Sequence, residues 1–221
     1  DDSFPDNSIK YILKSNNITI SDLDSIVFYE KPLLKFERLL ETYLDNSPFG
    51  IQSFSKSIPV WSQEKIFQKQ NIFSYLKKID KEFNDIKKIQ FVEHHVSHAA
   101  SAFYPSPFEN AIILTADGVG EWATTTVAIG NKNNLEMKKE INYPHSLGLI
   151  YSAFTYYCGF KVNDGEYKLM GLAPYGDAKY FNVILDKLID IKEDGSFRMN
   201  QDYFDYSTGL KMINKKFEKL F

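Results

Sequence analysis

At 221 residues, with 43% apolar and 25% charged side chains, the chain has the composition of a globular protein able to bury one sizeable core or two small ones. A net charge of −3 excludes the basic surface that a nucleic-acid backbone requires, and paired lysines such as Lys77–Lys78 and Lys138–Lys139 read as solvated faces. No apolar stretch reaches spanning length and no signal peptide is present, so the expectation is a cytoplasmic chain with no nucleic-acid or membrane partner. The single cysteine, Cys158, rules out an internal disulfide framework; its aromatic surroundings, 151–160, predict a buried structural thiol. Asp1 at the start and an uncapped amphipathic pattern at the end (LKMINKKFEKLF) lead to the expectation of an excerpt with neighbours on both sides.

Asp6 or Ser8 is expected to cap a first helix carrying Ile9, Ile12 and Leu13. Ser21 with Asp24 resembles a capping box, and 25–30 (SIVFYE) reads as a short buried strand. Pro32 opens a helix with Leu34, Phe36, Leu39, Leu40 and Leu44 on one stripe. Residues 51–82 are expected to be mostly helical, broken near Pro59. From 88 the pattern changes to a strand (KIQFV), a helix of small residues over 94–103, and a fully buried strand at 111–115 (AIILT). Two further strands, 123–130 and 135–143, meet at a hairpin over Asn131–Asn134. Helices follow at 147–158, after Gly165 and at about 178–189, an α/β alternation with a meander.

Three of the four histidines fall within His94–His98. On a helix, His94 and His98 lie four residues apart on nearly one face, where two imidazoles can share a transition metal; His95 points elsewhere as a bystander. No Glu follows His94, so the zinc-protease pattern HExxH fails. The bend Asp117-Gly118-Val119-Gly120-Glu121 after AIILT offers glycines that let backbone amides approach a phosphate and an Asp able to orient a hydroxyl. A plain Asp-Gly turn explains the same residues without chemistry. At Asn163–Lys168 a helix start meets Glu166 and Lys168, a pairing open to a ribose and a phosphate or to solvent. Ser146 is placed to cap the next helix, and His145 reads as a loop histidine.

Taken in order, EHHVSHAASAFYPSPFENAIILTADGVGEWATTTVAIG and YPHSLGLIYSAFTYYCGFKVNDGEYKLMGLAPYG resemble the N-terminal domain of NodU/CmcH carbamoyltransferases. The resemblance implies an incomplete actin/Hsp70/sugar-kinase fold, a duplicated ribonuclease-H-like α/β architecture. Residues 1–107 would be the later part of the first half and 108–221 the start of the second. It implies a metal, iron(II), on His94 and His98, with a third ligand, an Asp, beyond Phe221. Asp117 is the expected catalytic residue, while Gly118, Gly120, Glu121, Glu166 and Lys168 are expected at the nucleotide. The implied activity is O-carbamoyl transfer from carbamoyl-adenylate to a small-molecule or sugar hydroxyl. A YrdC-like domain outside this chain would make that donor from carbamoyl phosphate and ATP. Threonylcarbamoyl transfer to tRNA and a non-catalytic metal- or nucleotide-binding fragment are the alternatives; the acidic charge balance and DGVGEW weigh against the tRNA. The acceptor and the oligomeric state cannot be read from the residues.

Overall fold

Three small sheets, each tied to its own group of apolar side chains, organise residues 3–221, the part described by the computed structural model; the side chains of Val60, Gln63 and Glu64 fall outside that description. The first part runs α1 (Asp6–Asn16), β1 (Ile26–Phe28), α2 (Pro32–Asp45), α3 (Ile51–Lys65), α4 (Gln68–Ile79) and β2 (Ile89–Phe91). β1 and β2 pair in parallel, Ile26 opposite Ile89. A parallel pair needs a long crossover, which α2 to α4 provide. Ile20, Ile72, Leu76, Phe83 and Ile89 are buried together beneath this pair.

Several local expectations change here. α1 begins after Pro5 with no side-chain cap; Asp6 lies inside the first turn and pairs with Lys10 at 2.8 Å. Ser21 caps no helix, since its hydroxyl donates to Asp80 at 2.9 Å. The SIVFYE strand shortens to three residues and is half open, with Val27 58% exposed. α2 starts at Pro32 as expected, yet Leu44 is 72% exposed and the buried charged residue on this helix is Arg38. α3 runs through Pro59. The ring removes the partner of the Ser55 carbonyl, but Ser55 is exposed, so water can take that acceptor.

The second part opens with α5 (His94–Phe103), followed by β3 (Asn110–Ala116), β4 (Ala123–Asn131) and β5 (Asn134–Asn142). The strands form an antiparallel meander in the order β3-β4-β5, and the hairpin pairs Asn131 with Asn134. Lys132 takes a positive φ of 52° in that turn. α5 lies on one face, packing Ala99 and Phe103 against Ile113 and Ala128. The expected full burial of AIILT is therefore wrong: Ile113 and Thr115 are buried, whereas Ile112 and Leu114 are 79% and 69% exposed. A strand covered on one face alternates, whatever its composition.

α6 (Leu147–Tyr157) and α7 (Glu166–Leu172) follow where expected, and Ser146 caps α6 by accepting the Leu149 N–H at 3.0 Å. The third expected helix is reduced to α8 (Phe181–Val183) and a π-helical turn over Ile184–Leu188. β6 (Ile189–Ile191) and β7 (Phe197–Met199) then pair antiparallel, and α9 (Lys215–Glu218) closes over them. Leu188, Met199, Phe204, Ile213 and Phe217 pack beneath α6 around Ala153. Cys158 is exposed at the end of α6, contrary to the expected burial, because that helix buries the face carrying Ser152, Ala153 and Thr155. No helix among the described residues is long and apolar enough to cross a membrane.

Candidate functional site

The end of β2 delivers the chain into α5, and the end of β3 delivers Asp117 to the same place. His94 Nε2 lies 2.8 Å from Asp117 Oδ2 and 3.0 Å from His98 Nε2; His98 Nε2 is 3.6 Å from the same carboxylate oxygen. Helical spacing thus brings the two histidines together, and β3 supplies a carboxylate that the spacing alone could not reveal.

His95 is the main correction to the sequence reading. It is buried, donates through Nε2 to Asp117 Oδ1 at 3.1 Å, and turns Nδ1 to the Thr115 hydroxyl at 2.6 Å. An ionised carboxylate only accepts, so Nε2–H is the donor and the Nδ1 lone pair is left for Thr115. Thr115 meets the Thr126 hydroxyl at 2.7 Å, which extends a buried polar chain from β4 to Asp117. Helical spacing alone leaves the His95 face of α5 without a role, because its partners, Thr115 and Asp117, come from β3 and its end, distant in sequence.

Burial works against the charge on Asp117, but hydrogen bonds from His94 and His95 outweigh it and hold its pKa far below the ordinary carboxylate range. The hydrogen bond to Asp117 raises the pKa of His94. Burial and the neighbouring His94 lower that of His98. His94 Nδ1 is buried with no hydrogen-bond partner among the described residues.

Glu121, expected at a nucleotide, is buried and turned towards the protein. Its carboxylate accepts the His94 N–H at 3.0 and 3.2 Å and the Lys31 N–H at 2.6 Å. The residue at the N-cap of α5, Glu93, makes no side-chain cap and pairs with Lys31 Nζ at 2.7 Å instead. Glu121 therefore does the capping from outside the helix, placing negative charge at its positive end. Gly120 donates its N–H to the Ala123 carbonyl at 2.9 Å, so that amide is not free for a phosphate. Its lack of a side chain has another reason: a Cβ there would lie 3.0 Å from the His95 ring and 3.1 Å from His94 Cβ. Gly118 is open, with Leu149 Cδ2 4.0 Å from the place of a Cβ.

α6 braces the bend from the other side. The Ser146 hydroxyl lies 2.9 Å from the Asp117 carbonyl and 2.7 Å from that of Gly118. Gly148 rests directly on this peptide, where a Cβ would be 2.3 Å from the Asp117 oxygen. His145 has a partner after all: its Nδ1 accepts the Met199 N–H at 3.2 Å, and burial with nearby Arg198 lowers its pKa. Glu166 and Lys168 do not join the cluster among the described contacts. Glu166 accepts the Ser152 hydroxyl at 2.8 Å and the Asn163 N–H at 3.0 Å, tying the loop before α7 to α6. Lys168 is exposed, its ammonium 5.7 Å from the Tyr167 ring.

The donor set suits a divalent ion. Bonds of about 2.0–2.2 Å to imidazole and carboxylate place adjacent ligand atoms roughly 3.0–3.5 Å apart. The ligand atoms of His94, His98 and Asp117 all lie within 4.8 Å of one another, with the separations given above. The same contacts also satisfy a histidine–carboxylate hydrogen-bond cluster.

The family described as "Carbamoyltransferase N-terminus" matches residues 1–221. The chain is 56% identical over 222 residues to the uncharacterized protein sll1178 of Synechocystis sp., covering 100% of this chain and 36% of that protein. It is 34% identical over 206 residues to the nodulation protein NolNO of Sinorhizobium fredii, covering 90% of this chain and 27% of that protein. It is 33% identical over 111 residues to the nodulation protein NolO of Bradyrhizobium diazoefficiens, covering 50% of this chain and 20% of that protein. The chain thus spans about a third or less of the length of these relatives. With the family matched from the first residue to the last, the chain belongs to the carbamoyltransferase N-terminus family.

Proposed function

We propose that this chain carries part of the transfer site of an O-carbamoyltransferase, in which His94, His98 and Asp117 hold a divalent metal, iron(II) being the candidate. The observation that carries the reading is the meeting of these three side chains at the ends of β2 and β3 in a member of this family. The proposed architecture is the duplicated ribonuclease-H-like fold, with residues 1–107 in one half and 108–221 in the other. The β3-β4-β5 meander leading into α6, and the parallel β1–β2 pair, support it.

The donor is carbamoyl-adenylate, made from carbamoyl phosphate and ATP elsewhere in the full protein; the acceptor is a hydroxyl of a small molecule or sugar. The bound metal would supply positive charge at the leaving phosphate. The acceptor oxygen forms a bond to the carbamoyl carbon, the bond from that carbon to the phosphate oxygen breaks, and AMP departs with the electron pair. Asp117 Oδ2 faces His94 and His98, and a carboxylate lone pair that neither the metal nor His95 would engage orients the acceptor hydroxyl and receives its proton as the new bond forms. His95 fixes the other carboxylate oxygen, and Glu121 fixes the start of α5, so that Asp117 and His94 keep their geometry through the reaction. Gly118 leaves open space beside Asp117 for the substrates.

The test is carbamoyl transfer in the full-length protein carrying His94→Ala and His98→Ala. Loss of both bound metal and transfer is expected; unchanged metal content and rate would remove the assignment.

A further inference from the structure

Arg38 of α2 is 7% exposed, and its guanidinium carbon lies 4.9 Å from the centre of the Tyr143 ring. The Tyr143 N–H donates to the carbonyl of Trp122, the residue after Glu121, at 2.8 Å, so that ring stands beside the bend carrying Asp117. Among the described residues the guanidinium has no hydrogen bond and no ion pair, and its Nε is buried without a partner. We propose that Arg38 is a phosphate-binding residue of the transfer site, holding the phosphate of the adenylate donor and of the AMP that leaves. The proposal rests on the carbamoyl-transfer reading above.

A buried guanidinium without a partner costs several kcal/mol, of which stacking on Tyr143 offsets only about 2 kcal/mol. The carboxylates whose charges reach Arg38 are those of Glu121, Asp117 and Glu30. Each is engaged elsewhere. Glu121 accepts from the Lys31 and His94 N–H groups, Asp117 lies against His94 and His95, and Glu30 is held by Lys35 and Lys65. Their charges make a cation tolerable at this place without bonding to it, so the N–H donors of Arg38 are left for an incoming oxyanion.

The charges around the site favour a phosphate. Lys31 and Glu93 cancel, Lys35 and Lys65 leave one positive charge over Glu30, and Arg38 adds a second. Together these balance Asp117 and Glu121, so a divalent ion on the histidine cluster would leave the site positive towards an anionic donor. A guanidinium matches two phosphate oxygens with parallel N–H groups, in bonds about twice as strong as neutral ones. As the acceptor oxygen bonds to the carbamoyl carbon, the bond from that carbon to the phosphate oxygen breaks and the oxygen keeps the electron pair. The phosphate then becomes a free monoester, carrying about 1.5 to 2 negative charges at pH 7. A fixed cation therefore favours the departing form over the bound donor. Arg38 itself stays protonated and moves no proton.

Calorimetric titrations of the full-length protein with AMP, adenosine and iron(II), run on wild type, Arg38→Lys and Arg38→Met, test the proposal. One AMP-binding step should weaken by about 10–100-fold in Arg38→Met, the usual effect of losing hydrogen bonds to a charged group. Arg38→Lys keeps the charge without the fork, so its AMP affinity should fall between the two. Adenosine, which lacks the phosphate, should bind all three proteins alike. Iron(II) should bind Arg38→Met at least as tightly as wild type, because removing a nearby positive charge lessens repulsion of the ion. A merely structural Arg38 gives the opposite sign: the bend loosens, and iron(II), adenosine and AMP all weaken together. That result would overturn the proposal, as would no AMP binding by wild type or equal AMP affinity in all three proteins. Should Arg38→Met fail to fold, Arg38→Lys decides, a weaker AMP step with adenosine and iron(II) unaltered being expected. Carbamoyl transfer with AMP binding indifferent to Arg38 removes this proposal alone. AMP binding through Arg38 with no transfer to any hydroxyl acceptor removes the transfer reading instead.

Discussion

The Glu121 carboxylate receives the backbone N–H of His94 at 3.0 and 3.2 Å, and so closes the N-terminus of a helix that begins 27 residues before it. Ordinary caps come from the residue at the helix start; here a bend between two strands supplies one, and the helix position becomes tied to Asp117. Glu121→Ala should lower stability by about 1–2 kcal/mol, the usual value of a lost cap with its dipole contribution, and weaken metal binding as well. Glu121→Gln, which keeps an acceptor without the charge, should lie between the two. Urea denaturation and metal titration of both variants measure this.

Gly148 presses on the Asp117–Gly118 peptide, where a Cβ would meet backbone atoms at 2.3–2.5 Å. Backbone cannot swing aside as a flexible side chain can, so Gly148→Ala should cost about 1–3 kcal/mol and displace Asp117, reducing transfer. Gly171, with nothing within 4 Å of a Cβ, is the control, and Gly171→Ala in α7 should leave the transfer rate near wild type and raise stability by up to about 1 kcal/mol through helix propensity. Thermal unfolding and transfer rates of the pair decide the point.

Glu30 is 3% exposed and accepts from Lys35 and Lys65, each at 2.7 Å. Burial opposes its charge, but the two lysines outweigh burial and the pKa is lowered. With the folded pKa below the unfolded one, the unfolded chain binds the proton first. The contribution is therefore complete above the ordinary Glu pKa of about 4.3 and is lost as pH falls through the folded value. Wild type should lose stability on acidification below that region, and Glu30→Gln should be less stable at neutral pH by about 1–3 kcal/mol with a flatter acid limb. Denaturation curves at pH 7 and across the acid range test both parts.

The parts of this site that could be read from the chain are those with a local cause. Four-residue spacing put His94 beside His98, Ser146 announced the start of α6, and Asn131–Asn134 announced a hairpin. What escaped depends on partners distant in sequence. His95 looked idle because its contacts, Thr115 and Asp117, arrive on β3; Glu121 looked like a ligand because the amides it caps lie upstream. Arg38 broke an otherwise apolar pattern on α2, and its burial under Tyr143 has no local signal. Ile112 and Leu114 sit in a run that reads as buried on both faces, but α5 covers only the other face of the meander.

His95 separates geometry from ligation. Its Nε2 holds Asp117 Oδ1 while the facing oxygen, Oδ2, is shared by His94 and His98. His95→Phe removes the hydrogen bonds to Asp117 and Thr115 but keeps both candidate ligand histidines. Metal should still bind, with affinity reduced by about 10–100-fold as for other lost outer partners, and the transfer rate should fall with it. Retention of full rate would show that Asp117 needs no second support.

The central claim, that His94, His98 and Asp117 together hold a metal used in carbamoyl transfer, is tested most directly by iron(II) titration of the full-length protein under anaerobic conditions. Calorimetry should be run on wild type, His94→Ala/His98→Ala and Asp117→Asn, with the carbamoyl-transfer rate measured on the same samples. One equivalent bound by wild type, loss of that equivalent in the double histidine variant, and weakened binding in Asp117→Asn, each with a matching fall in rate, is the predicted result. Equal stoichiometry and affinity in all three proteins would contradict it.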